Sequence, residues 1–170
     1  MAGAGEARRR CIGSGNLATF LIKGDPEDFG FEDLVREGRS RWDGVANPTA
    51  LIHLRMIRTG DELLVFHTGG ERAVVGLARA VSDAYADPTR PELNDRGEAK
   101  FAVVDVEPVA RAAKPVTLAA LREQPAMKDF VLLKQSRLSV MPVPGAIDRA
   151  IRAQAGFVEL GGKGPARARK

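Results

Sequence analysis

Three apolar runs, at residues 62–68, 73–81 and 101–109, constrain this chain more than anything else in it. Each is dominated by Val, Leu, Ala and Phe. Gly60-Asp61 precedes the first, Gly69-Gly70 follows it, and Pro108 lies near the end of the third. Runs of this length between such breakers predict buried strands. Gly76, inside the second run, predicts a bulge or a close approach by another segment. A shorter apolar run at 19–22 predicts a further strand, stopped by Lys23-Gly24-Asp25-Pro26.

The remaining elements fit around those strands. Phe31, Leu34 and Val35 have helical spacing, and Gly38 ends a short helix over 31–37. Asn47 can cap the next helix, with Pro48 at its first position and Ala50, Leu51, Leu54 and Ile57 on its apolar face. Residues 87–97 read as a polar, proline-rich loop. Thr117 caps a helix over 118–123, residues 129–134 predict another helical turn, and 137–143 a last strand. Ile147, Ala150 and Ile151 form the narrow apolar face of a final helix. The expectation is an α+β fold: a small mixed β-barrel of about five to six strands, flanked by short helices, in one domain over residues 19–158.

The chain has 170 residues with 26 basic and 22 acidic side chains, a net +4. That excess belongs to the ends. Residues 1–19 carry three Arg and one Glu, and residues 161–170 carry four basic groups and no acid. The remaining 19 basic and 21 acidic residues give 20–160 a net charge of −2. The segments 1–18 and 159–170 therefore read as basic, disordered tails, and the core is no general phosphate sheath. Cys11 is the only cysteine and His53 and His67 the only histidines, which excludes a disulfide within the chain, a cysteine-based zinc site and a multi-histidine cluster. No metal or cofactor is expected, and the cytoplasm is the default compartment. No run of 18 apolar residues offers a transmembrane helix, so no membrane partner is expected, and a monomer is favoured.

Catalytic signatures are missing. There is no phosphate loop, no dinucleotide fingerprint after a strand and no nucleophile elbow. Asp83, Asp87 and Asp95 fall in a region expected to be solvated. Four polar points instead sit at strand ends, where pockets form: Lys23-Gly24, the stretch from Trp42 to Asn47, His67-Thr68, and Arg137-Leu138-Ser139. Each has a plainer reading. Trp42, the only tryptophan, is a stacking platform or a core plug; stacking requires its indole to face a concavity. His67 is a ligand contact or a hydrogen-bonded structural histidine. Asn47 can be a cap alone, Ser139 a solvent-facing strand residue and Arg137 a surface arginine.

Several motifs in series resemble the EVE domain family. They are Phe20-Leu21-Ile22-Lys23-Gly24-Asp25-Pro26, Arg41-Trp42-Asp43-Gly44-Val45-Ala46-Asn47, and Gly60-Asp61-Glu62-Leu63-Leu64-Val65-Phe66-His67-Thr68. Ala84-Tyr85-Ala86-Asp87-Pro88-Thr89 and Arg137-Leu138-Ser139-Val140-Met141-Pro142-Val143 continue the series. The resemblance implies a PUA-like fold and a non-catalytic nucleic-acid-binding module. Its partner would be DNA or RNA carrying a modified base such as a modified cytosine, taken at the barrel mouth. It implies a base-binding set of Lys23, Gly24, Trp42, Val45, Asn47, His67, Thr68, Arg137, Leu138 and Ser139. Gly24, Ala46 and Pro48 depart from the family pattern, which has Ser, Arg and Tyr there. Those departures motivate an alternative: a small-molecule or peptide-binding module that has lost nucleic-acid binding. A third reading, a hydrolase, would need His67 as its base.

Overall fold

A computed structural model describes residues 17–160 of the chain. Its spine is a sheet whose strands lie in the order β2-β6-β4-β3-β1-β7, with β5 and β8 adding short pairings to β6. The strands are β1 (Thr19–Gly24), β2 (Ser40–Trp42), β3 (Glu62–His67), β4 (Ala73–Ala80), β5 (Tyr85–Ala86), β6 (Ala102–Thr117), β7 (Val140–Pro142) and β8 (Val158–Glu159). Only β1 and β3 pair in parallel, from Thr19 beside Glu62 to Gly24 beside His67. The other pairings are antiparallel. The six-strand path matches the expected number, and the two extra strands are only two residues long.

The helices are α1 (Pro26–Phe29), α2 (Phe31–Glu37), α3 (Pro48–Leu54), α4 (Leu118–Arg122), α5 (Val131–Lys134) and α6 (Gly145–Ala155), with a 3-10 turn at Pro125–Met127. Capping explains several starts. Asp25, Asn47 and Thr117 accept from the N–H groups of Glu27, Ala50 and Ala120, satisfying donors that have no partner inside the helix. Ala50, Leu51 and Leu54 are the buried face of α3, as their spacing predicts.

Curvature comes from β4. Its register shifts between Val74 and Gly76 and again between Leu77 and Ala78 against β6, and β3 shifts between Val65 and Phe66 against β4. Bulges raise local twist and bend a strand, so the sheet curls into a half-barrel. Gly76 lies at one bulge with the Phe31 ring pressed on its backbone; a methyl group there would overlap the ring. Both readings of Gly76 hold together. The absent side chain lets α2 seat Phe31, 1% exposed, on the sheet.

Four expectations need correction. The third strand runs over 102–117, well past 109, because pairings at Ala110-Arg111 with β4 and β8 and at Val116-Thr117 with β4 carry it across Ala112-Ala113-Lys114-Pro115, whose strand propensity is weak. The last strand shrinks to Val140–Pro142: Leu138 donates to the Gln135 carbonyl, so the segment before it is a turn. Asp87 is 2% exposed rather than solvated. At the domain ends, Ala18 donates to Asp61, Val158 and Glu159 pair with β6, and Leu160 donates to the Val109 carbonyl. The domain thus reaches slightly beyond 19–158. Cys11 and most of both expected tails lie outside the described residues.

Candidate functional site

β1 and β3 run parallel and in register, so Lys23-Gly24 and His67-Thr68 arrive side by side at the same end of the sheet. β7 is antiparallel to β1, which delivers the residues preceding it to that end as well. The Lys23 N–H donates to the Ser139 carbonyl at 2.9 Å, and the Lys23 ammonium to the Ser136 carbonyl at 2.9 Å. The Thr68 N–H donates to the Gly24 carbonyl at 3.0 Å, with its hydroxyl at 3.4 Å from the same oxygen. Lys23, Gly24, His67, Thr68 and Ser139 therefore lie together at one end of the sheet, with Arg137 and Leu138 in the turn that leads to Ser139; this end is called the mouth below.

Charge at the mouth is partly tamed. The Lys23 ammonium lies 5.8 Å from the centre of the Phe66 ring, and burial pushes its pKa below the usual lysine value. Arg137 is exposed and, among the described residues, has no carboxylate partner within 4.0 Å. It is the freer of the two cations. Leu138 is 3% exposed and contributes an apolar floor. The Ser139 side chain is half-buried.

His67 is a structural histidine. Its Nε2 accepts the Phe31 N–H at 3.0 Å, which fixes the neutral ring proton on Nδ1. Nδ1 faces the Glu71 carboxylate at 2.8 Å. Both ring nitrogens are committed, and Nε2 satisfies a donor at the start of α2. A general base needs a nitrogen free to take a proton from its nucleophile. This geometry removes the support for a His67-based hydrolase.

Trp42 is 7% exposed. Its indole lies 3.0 Å from where a Cβ on Gly24 would sit, and Phe29 meets it edge-on at 6.5 Å between ring centres. β2 is at one end of the six-strand path and β1 near the other, so this contact spans the curl of the sheet. The tryptophan thus borders the mouth as a plug and offers no open face for stacking. Val45 is 5% exposed and acts through its backbone: its carbonyl accepts from Arg90 at 3.3 Å. The Asn47 side-chain oxygen accepts the Ala50 N–H, which leaves its amide N–H2 group and one oxygen lone pair for a ligand.

Sequence reasoning missed the strut behind the Val45 loop. Asp87 accepts from the Thr89 N–H and hydroxyl at 2.9 and 2.7 Å and from Arg90 Nε at 2.9 Å. Burial opposes its charge, but the Thr89 hydrogen bonds and the Arg90 guanidinium outweigh it and hold the carboxyl at about 2. Arg90 then stacks 4.0 Å from the Phe101 ring and reaches Val45. The signal was present: an aspartate followed two residues later by threonine is the pattern of a side-chain-stabilised turn. Two open cavities lie elsewhere, one by Arg55, Arg58 and Tyr85, the other between β4 and the end of α6; the residues of the mouth line neither.

The family model of the EVE domain matches residues 18–154. Thymocyte nuclear protein 1 of Homo sapiens is 29% identical, with 81% of this chain and 73% of that protein aligned. A hypothetical protein from Leishmania major has a solved structure that superposes with a TM-score of 0.76 at 31% identity, covering 82% of this chain and 95% of that one. The human THYN1 protein, solved in complex with DNA containing 5-methylcytosine, superposes with a TM-score of 0.71 at 26% identity, covering 81% of this chain and 97% of that one. The half-barrel with its short helices has the PUA-like architecture.

Proposed function

The chain belongs to the EVE domain family, and from that premise we propose that it is a non-catalytic nucleic-acid-binding module that reads a modified base at the mouth between β1, β3 and the turn before β7. One observation carries this reading: three segments remote in sequence, 23–24, 67–68 and 137–139, are held together there by main-chain hydrogen bonds. Backbone groups fixed this way, with the Ser139 hydroxyl and the Arg137 cation beside them, suit the polar edge of a base, and Leu138 suits its apolar parts. The likeness to a protein solved with 5-methylcytosine DNA supports the choice of ligand.

Magnitudes limit how the base is chosen. Burying one methyl group gains about 0.8 kcal/mol, roughly a fourfold preference. A modification that forms hydrogen bonds can be selected more sharply, because a mismatch leaves polar groups of the mouth unpaired. The test is a binding series with DNA and RNA oligonucleotides, unmodified or carrying 5-methylcytosine or a hydroxylated cytosine. Tighter binding of a modified strand, lost in Ser139→Ala, is the expected result. Equal affinity across the series would end the base-reading proposal.

The closed position of Trp42 favours a second reading, a small-molecule or peptide-binding module. Binding of a free nucleoside or metabolite with no binding of any oligonucleotide would establish it instead.

A further inference from the structure

A second feature of the domain is electrostatic. Residues 39–58 hold Arg39, Arg41, Arg55 and Arg58 against Asp43 alone, a net +3 inside a core whose net charge is −2. Two of these arginines line an open cavity of about 350 Å3, together with Asp83, Tyr85, Phe101 and a set of alanines. Arg55 donates to the Ala99 and Lys100 carbonyls at 2.9 and 3.0 Å. Arg58 donates to the Arg55 and Ile57 carbonyls at 2.8 and 3.1 Å. Carbonyls hold a guanidinium in place without cancelling its charge. Among the described residues, neither arginine has a carboxylate within 4.0 Å.

The acid in the lining is otherwise engaged. One oxygen of Asp83 accepts both the N–H and the hydroxyl of Thr59, at 2.9 and 3.1 Å. Tyr85 donates its hydroxyl to Asp105 at 2.7 Å and keeps its ring at the rim, 37% exposed. The Lys100 ammonium lies 5.4 Å from the Phe101 ring. Fixed guanidiniums and aromatic rings around an open concavity, with a lysine beside the Phe101 ring, suit an anion carried on a planar or sugar framework.

We propose that this cavity binds the phosphodiester backbone of the nucleic acid whose base enters the mouth. The proposal rests on the reading given above and adds a phosphate site to it. Trp42 touches Gly24 at the mouth, and five residues later Asn47 caps helix α3, whose far end leads to Arg55. At a rise of about 1.5 Å per residue, the eight steps span about 12 Å. That is three to four nucleotide steps at roughly 3.4 Å each. Arg90 couples them a second time, stacking on Phe101 in the cavity wall and holding the Val45 carbonyl in the loop before α3. Phosphates flanking a base at the mouth thus fall within reach of Arg55 and Arg58. Such contacts fix register and orientation and carry no base identity.

The experiment uses three single strands: unmodified, carrying 5-methylcytosine, and abasic throughout. Each is titrated at several salt concentrations against the wild-type chain, Arg55→Ala/Arg58→Ala, Lys100→Glu and Asp83→Asn. Thermal melts confirm that each variant is folded. If the arginine pair proves unfolded, Lys100→Glu and Asp83→Asn decide. Removing both arginines should weaken all three strands alike and reduce the salt slope by roughly 1.4, the value for two phosphate contacts on single strands. Lys100→Glu should weaken binding and Asp83→Asn should strengthen it, again without regard to the base. Unchanged affinity and slope in the folded variants would overturn the phosphate site while leaving the base-reading mouth intact. Arginine-dependent binding of the abasic strand, with no preference for the modified one, would keep the phosphate site and discard the base reading. Failure of the wild-type chain to bind the abasic strand would overturn the site.

Discussion

The mouth and the arginine cavity use polar groups in opposite ways. At the mouth, the chain's own groups consume most of the donors and acceptors: Lys23 is bound to Ser136 and Ser139, His67 to Phe31 and Glu71, Thr68 to Gly24, and the Asn47 oxygen to Ala50. In the cavity, the guanidiniums are fixed by carbonyls and, among the described residues, have no carboxylate within 4.0 Å. A site built mostly from satisfied groups is rigid, and a ligand that does not match the few groups left free is penalised. A site with surplus charge attracts broadly and loses strength as salt rises. On the two proposals made above, the contrast divides labour: selectivity at the mouth, attraction at the cavity.

The most disruptive way to probe the contrast is Trp42→Ala. Removing a buried indole from between Gly24 and Phe29 should cost about 3–5 kcal/mol in urea unfolding, more than any change in the cavity. A loss below about 1 kcal/mol would show that the mouth is looser than its packing. Asp87→Asn comes next. It leaves a buried turn short of a charged acceptor and should cost about 1.5–3 kcal/mol, with the Val45 loop losing order in amide exchange.

The same aspartate gives a pH prediction. Its folded-state pKa of about 2 is below the ordinary 3.8, so on acidification the unfolded chain takes up the proton first. Its contribution is complete above the ordinary value and disappears as pH falls from about 4 to about 2. Thermal melts across that window should decline less steeply in Asp87→Asn than in the wild-type chain.

Smaller effects separate the two sites more finely. Gly24→Ala pushes a methyl group towards a stiff indole and should cost about 1–2 kcal/mol, with a change in tryptophan emission. Ser139→Ala should shift stability by no more than about 0.5 kcal/mol yet reduce preference among oligonucleotides. Equal preference before and after that change would move selectivity away from the mouth.

Much of the scaffold was legible in the sequence. The buried runs at 62–68 and 73–81, the caps at Asn47 and Thr117, and the dual role of Gly76 all follow from local rules that the tertiary structure respects. The second half of β6 was not legible: Arg111 to Pro115 has little strand propensity and is extended because pairings at Ala110-Arg111 and Val116-Thr117 hold it at both ends. For the candidate site, position at strand ends anticipated that 23–24 and 67–68 would meet, since parallel register carries them to one place. The state of each side chain was hidden. Whether His67 is free or spent depends on Phe31, 36 residues away, and on Glu71. The cavity arginines were invisible for a related reason: their interest lies in having carbonyl partners and no carboxylate, a property only folding reveals.

The long strand β6 also governs when this domain can exist at all. It pairs with β2, β4, β5 and β8, so half of the sheet has no template until Ala102–Thr117 is available. Ser40 waits for Val106, and Ile22 waits for Val140. Pairings this remote make loop closure the slow step, so the domain should refold in milliseconds to seconds rather than microseconds. During synthesis the same wiring leaves β1 and β2 incompletely paired for most of the chain's passage from the ribosome. The mouth closes late, when the turn at Arg137 to Ser139 reaches Lys23.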